Sequence, residues 1–102
     1  VNAPGSVVVA GEPSAVQELA AQCESDGVRV RILPVDYASH SAQVDTITER
    51  LLEDLADVAP VRAAVPVYSS LTGEELDTTT ADAGYWVRNL RETVRFDLAT
   101  QA

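Results

Sequence analysis

Cysteine occurs once, at Cys23, and methionine not at all. A single thiol excludes an internal disulfide and makes a reducing, cytoplasmic setting the expected one. Histidine is equally scarce: His40 stands alone, so imidazoles and thiols do not converge at ligand spacing and no metal site is expected. Basic residues number 7 against 16 acidic ones, a formal charge of -9. A surface of that sign repels phosphate backbones and anionic lipid, so neither nucleic acid nor a membrane is an expected partner. No long apolar run is present. Val7 to Ala10 is far too short to span a bilayer and lacks the basic flank of a signal peptide. A phosphate-cradling glycine loop is also missing, and so is the G-x-S-x-G nucleophile elbow. Ser6 follows Gly5, but Val8 stands where the second glycine belongs. There is no internal repeat and no low-complexity stretch.

What is present suits one small α/β domain of 102 residues, 46% of them hydrophobic. Ser6–Ala10 is a β-branched run between Pro4-Gly5 and Gly11 and reads as a buried strand. Pro13 fits the first position of a helix, Val16, Leu19, Ala20 and Cys23 recur at helical spacing, and Gly27 fits its end. Val28–Ile32 alternates strictly, with Arg29 and Arg31 on one face of a half-buried strand. This first third is β-α-β. A lone unit of that kind leaves sheet edges open, so partner strands are expected elsewhere, upstream of Val1 included. The abrupt start at Val1 points the same way, to a piece of something longer. Val44, Ile47, Leu51, Leu55 and Val58 predict a helix over 41–58, closed by Pro60. Ala63–Ser69 reads as a strand, on an edge or bulged because Pro66 cannot donate. Thr72-Gly73-Glu74 is a turn and 75–80 a loop. Short helices are expected over 82–90 and from about Thr93 to Ala99, with Tyr85 and Trp86 as core anchors.

Of the chemistry-bearing residues, His40 is the one able to move protons near neutrality without a shifted pKa. It lies where a loop meets a helix, from which a base reaches into a cleft; the bland alternative is a solvated or helix-capping histidine. Ser39 and Ser41 are too near in sequence to be its nucleophile, and Ser69 and Ser70 qualify only if the fold brings them close. The acidic residues between Asp45 and Asp57 read as a solvated helix face. Cys23 reads as a small buried hydrophobe.

Three stretches carry a resemblance. Val1–Gly11 is similar to the VNGPxSVVVSG stretch of acyltransferase domains in modular type I polyketide synthases. Pro34-Val35-Asp36-Tyr37-Ala38-Ser39-His40-Ser41 resembles their VDYASHS segment, and Tyr85–Phe96 their YWxRNLRxPVRF. The three occur in the family's order with compatible spacing. The resemblance implies part of an acyltransferase fold: residues 1–33 as the second half of a ferredoxin-like small subdomain, and 34–102 as the C-terminal part of an α/β-hydrolase-like large subdomain.

It also implies an activity. An upstream serine in a GHSxG elbow attacks the thioester of an acyl-CoA. The acyl group then passes to the phosphopantetheine thiol of an acyl carrier protein. His40 matches the catalytic histidine, and Asn89 the residue whose backbone carbonyl orients it. Tyr37, Ala38 and Ser39 match the specificity motif of methylmalonyl-CoA-selective domains, where malonyl-selective ones show HAFH. Ser39 in place of a Phe leaves room for the α-methyl branch, a discrimination of about 1–3 kcal/mol. Asn2 matches a position near the substrate pocket. No cofactor is expected to bind directly. The implied partners are methylmalonyl-CoA, an acyl carrier protein domain, the upstream remainder of the acyltransferase and a ketosynthase domain. Ala3 replaces the usual Gly and Thr93 the usual Pro. The nucleophilic serine and the arginine that grips the extender carboxylate fall outside these residues, so the chain alone is expected to be inactive. A non-catalytic α/β interaction module and a malonyl-CoA:acyl carrier protein transacylase are the alternatives.

Overall fold

Four α-helices and two short 3-10 turns make up the regular structure of this chain, a computed structural model describing residues 1–102. Helix α1 (Pro13–Ser25) is punctuated from the sequence outward. Pro13 opens its first turn, where a missing N–H costs nothing. Gly27 closes it with φ 76°, and the Gly27 and Val28 amides reach back to the Glu24 and Cys23 carbonyls at 3.1 and 2.8 Å. That pair of bonds satisfies carbonyls the helix end leaves open.

The expected 41–58 helix forms in two pieces. A 3-10 turn, Ala42–Ile47, leads into α2 (Thr48–Asp54). Ser41 caps the turn, its Oγ accepting from the Gln43 amide at 3.3 Å. Regular α-structure stops short of Val58, because the Ala56 and Val58 amides bond three residues back, to the Glu53 and Leu55 carbonyls at 3.2 and 3.0 Å. Helix α3 (Ala83–Arg91) starts at an Asp82 cap whose carboxylate accepts from the Tyr85 amide at 2.9 Å. Helix α4 (Phe96–Gln101) begins later than Thr93, since residues 92–95 are irregular and bond across the chain. A second 3-10 turn, Thr78–Thr80, interrupts the 75–80 loop.

None of the three expected strands joins a sheet. Ser6–Ala10, Val28–Ile32 and most of Ala63–Ser69 are irregular, and pairing is limited to isolated bridges, Ala3 with Ser6 and Tyr68 with Glu75. The reason is physical: a strand is defined by a neighbour, and the chain supplies these runs with none. Instead of being buried or half-buried, Val7, Val8, Val9, Val28 and Ile32 are exposed. Only the end of the third run finds a partner. Around the Thr72-Gly73 turn, Ser69 N bonds Glu74 O at 2.9 Å and Leu76 N bonds Val67 O at 2.8 Å.

Burial is correspondingly sparse. Val44, Ser69, Gly73, Ala81 and Val87 are the buried residues, and α2, α3 and the 3-10 turn before α2 pack on one another around Val44 and Val87. The expected aromatic anchors are displaced: Trp86 is 45% exposed and meets Tyr85 edge-on with ring centroids 5.1 Å apart, while Val87 takes the buried position. Cys23 is half-buried. The accessible surface is 7602 Å², whereas a compact monomer of this mass exposes about 5,600 Å². A radius of gyration of 16.2 Å against about 13 Å for a compact chain of this length says the same. No helix is long and apolar enough to cross a membrane.

Candidate functional site

His40 sits at the C-terminal end of α3. Its backbone amide donates to the Leu90 carbonyl at 2.7 Å, and its ring Nδ1 lies 3.0 Å from the Glu92 carbonyl oxygen. Helix ends leave such carbonyls without intrahelical partners, so a donor brought across the fold is well used there. A carbonyl oxygen can only accept, so Nδ1 carries the proton in this bond. The neutral ring then presents an unprotonated Nε2, which no protein group engages. This is the tautomer a general base requires.

The backbone of His40 is strained into place. Its φ of 60° is the one positive value at a non-glycine residue in the chain. Such a conformation costs about 1–3 kcal/mol and persists where surrounding bonds enforce it. Here the enforcing bonds are the two to α3 and a third behind the turn, where Ser41 Oγ donates to the Ala38 carbonyl at 2.6 Å.

The carbonyl on the ring belongs to Glu92, which corrects the expectation of Asn89. Asn89 lies inside the last turn of α3. Glu92 follows the helix with extended backbone, φ -85° and ψ 170°, and there its carbonyl meets the imidazole. Glu92 left no distinctive signal in the sequence, because the interaction uses its backbone. Its side chain turns elsewhere, accepting from Arg88 Nε at 2.9 Å, and that bond holds its carboxyl below the usual carboxylate range.

The strip from Leu90 to Asp97 gathers the other pieces. Beyond Glu92, the Arg95 amide donates to the Ser70 carbonyl at 2.6 Å and the Asp97 amide to the Val1 carbonyl at 3.2 Å. The turn carrying Asn2 is thus docked on the same strip that holds His40. Asn2 itself is exposed, its amide bonded to Ser6 O at 3.1 Å. Tyr37 is 69% exposed, while Ala38 and Ser39 are half-buried in the turn leading to His40. Two grooves lie elsewhere, one between 62–67 and 75–78 and the other beside Leu71, Leu76 and Tyr85.

No hydrogen bond joins either serine candidate to His40. Ser69 is 2% exposed and committed to structure: its Oγ pairs with the Tyr85 hydroxyl at 2.7 Å and accepts from the Leu71 amide at 3.1 Å. Ser70 contributes its backbone carbonyl to Arg95. No three His, Cys, Asp or Glu side chains gather as a metal site.

The profile of the acyl transferase domain family matches residues 1–102. Over 101 residues the chain is 58% identical to polyketide synthase GfsE of Streptomyces halstedii, covering 99% of this chain and 3% of that protein. It is 53% identical over 102 residues to erythronolide synthase EryA3 of Saccharopolyspora erythraea, again 99% of this chain and 3% of the relative. Among solved structures, the acyltransferase domain from module 8 of the salinomycin polyketide synthase superposes with a TM-score of 0.86 at 52% identity, covering 89% of this chain and 22% of that one. A loading acyltransferase from the avermectin modular polyketide synthase gives 0.82 at 41% identity, with coverages of 86% and 28%. The chain therefore spans a small fraction of each relative it matches. These likenesses extend from end to end of its sequence and through most of its fold: the chain belongs to the acyl transferase domain family, as found in modular polyketide synthases.

Proposed function

We propose that this chain is the base-bearing part of an acyltransferase that loads a methylmalonyl unit from methylmalonyl-CoA onto an acyl carrier protein. The observation that carries the proposal is the setting of His40, with Nδ1–H on the Glu92 carbonyl and Nε2 free. On this reading the nucleophile is a serine in a GHSxG elbow of the surrounding polypeptide, and a nearby arginine grips the extender carboxylate. His40 Nε2 takes the serine proton as Oγ attacks the thioester carbonyl, and the departing CoA thiolate collects that proton from the imidazolium. In the second half the phosphopantetheine thiol of the carrier protein gives its proton to Nε2 and attacks the acyl-serine ester. Serine Oγ leaves and regains the proton. The Glu92 carbonyl fixes the ring throughout and faces the charge of the imidazolium while it exists.

Tyr37, Ala38 and Ser39 set the preference for the branched extender, with Ser39 leaving space for the methyl group. Asn2 borders the pocket. Residues 1–33 belong to a ferredoxin-like subdomain and 34–102 to an α/β-hydrolase-like one, whose missing strands come from the rest of the domain. The exposed Val7–Val9 run and the exposed Val28 and Ile32 fit that reading. The partners are the carrier protein, the remainder of the acyltransferase and a ketosynthase domain, in the cytoplasm. On this reading no cofactor binds the chain directly, and the phosphopantetheine is carried by the acyl carrier protein.

The test is single-turnover acylation of the synthase polypeptide that carries this segment, with methylmalonyl-CoA and malonyl-CoA in parallel. Methylmalonyl is expected to load faster, and His40→Ala to slow loading by at least about 10²-fold. Undiminished loading by His40→Ala would remove the role assigned to His40. Faster malonyl loading would leave that role standing and move the chain to the malonyl-transferring alternative.

A further inference from the structure

We infer that the ion pair between Asp45 and Arg91 is a positioning device for His40, so that its loss is felt in turnover far more than in stability. The inference rests on the reading of His40 as the base.

Arg91 occupies a particular place. It is the residue between Leu90 and Glu92, whose carbonyls hold the His40 amide and ring. Its own side chain reaches in the same direction, Nε donating to Asp45 Oδ1 at 2.6 Å. Asp45 lies in the 3-10 turn Ala42–Ile47, which begins two residues after His40. Three consecutive residues at the end of α3 therefore grip three points around one turn: the His40 backbone, the His40 ring and the 3-10 segment that follows. The first two bonds fix the ring relative to α3. The third stops the 3-10 turn from sliding along α3, a motion that would pull on both.

Both side chains of the pair are partly exposed, 39% for Arg91 and 59% for Asp45. Pairs of that kind contribute little to folding. Positioning obeys a different scale, because a shift of about 1 Å in a reacting group costs up to about 10²-fold in rate. The two scales make the inference separable from a merely structural role. A control exists in the same molecule: Arg50 Nε and Asp54 Oδ1 pair at 2.9 Å within α2, with the carboxylate about as exposed but the arginine more so, 75% against 39%, and outside the strip that holds His40.

The experiment compares the synthase polypeptide with its Asp45→Asn, Arg91→Gln, Arg91→Lys, Arg50→Gln and His40→Ala variants. Methylmalonyl-CoA loading is resolved into kcat and KM, and melting is recorded for each. Asp45→Asn and Arg91→Gln are expected to lower kcat by about tenfold with KM held within about twofold. Arg91→Lys, which keeps a cation within reach of Asp45, recovers most of the rate, and Arg50→Gln matches the unsubstituted protein. Unchanged kcat in Asp45→Asn and Arg91→Gln beside an inactive His40→Ala would overturn the inference and leave the proposed function standing. A lowered kcat shared by Arg50→Gln, or one matched by a lowered melting temperature, would overturn it too, as a structural effect. An active His40→Ala would instead remove the reading on which the inference rests, and the inference with it.

Discussion

Residues 1–33 and residues 38–101 are held together in different ways. The first region contains a well-formed helix and no buried residue. Its one side-chain hydrogen bond to the second region joins Glu12 Oε1 to Gln43 Nε2 at 3.0 Å. All five buried residues lie in the second region, and so do the long-range bonds that set His40. The contrast separates two kinds of information. Helix α1 exists because local signals start and stop it: Pro13 at one end, Gly27 and the two crossed amide bonds at the other. The His40 turn exists because residues about fifty positions away in sequence supply its acceptors.

Two glycines test the contrast between the regions. Gly73 and Gly27 share the same left-handed backbone, φ 77° and 76°. A Cβ at Gly73 would stand 2.5 Å from Leu98 Cβ, while one at Gly27 would meet open space. Gly73→Ala therefore adds a collision between the 69–76 hairpin and α4 to the backbone strain. It is expected to destabilise by about 2–4 kcal/mol. Gly27→Ala meets only the strain, about 1 kcal/mol, and frays the end of α1 without disturbing His40. Thermal melting ranks the two. Equal losses would show that α1 and the second region are supported alike, contrary to this account.

The smallest expected effect is on acid sensitivity. The carboxyls of Asp77, Glu92 and Asp97 are all held below the usual range, by hydrogen bonds from Thr79, Arg88 and Arg95 respectively. A carboxyl whose folded pKa is depressed adds stability that is complete above its unfolded value and is lost as pH falls through the folded one. The second region should therefore loosen slightly below about pH 4. Melting followed at falling pH checks this. Asp77 and Glu92 are exposed and Asp97 is half-buried, so the decline is shallow. Melting that rises on acidification would reverse the sign and contradict the assignment.

The same contrast explains what could be read from the chain before its fold. The boundaries of α1 were legible to within a residue or two, and so was the Asp82 start of α3, because a cap is a local device. The 41–58 periodicity announced a helix but not its 3-10 opening or its end at Leu55, where turns of three and four residues compete. The β-branched runs announced strands that the chain does not pair, since pairing is a property of a neighbour. At the site, His40 and its tetrad stood out by residue type and by resemblance. Its acceptor did not: Glu92 acts through a backbone carbonyl, which any residue offers, and only the path of the chain after α3 decides which carbonyl faces the ring.

The proposed chemistry turns on the state of the His40 ring, and His40 is the only histidine in the chain. Nitrogen-15 labelling followed by long-range proton–nitrogen correlation therefore reads that ring without an assignment problem. In its neutral form the ring is expected to carry its proton on Nδ1, with Nε2 in the pyridine-like form. A neutral ring with the proton on Nε2 would contradict that expectation, because neither the Glu92 bond nor a base at Nε2 survives that tautomer.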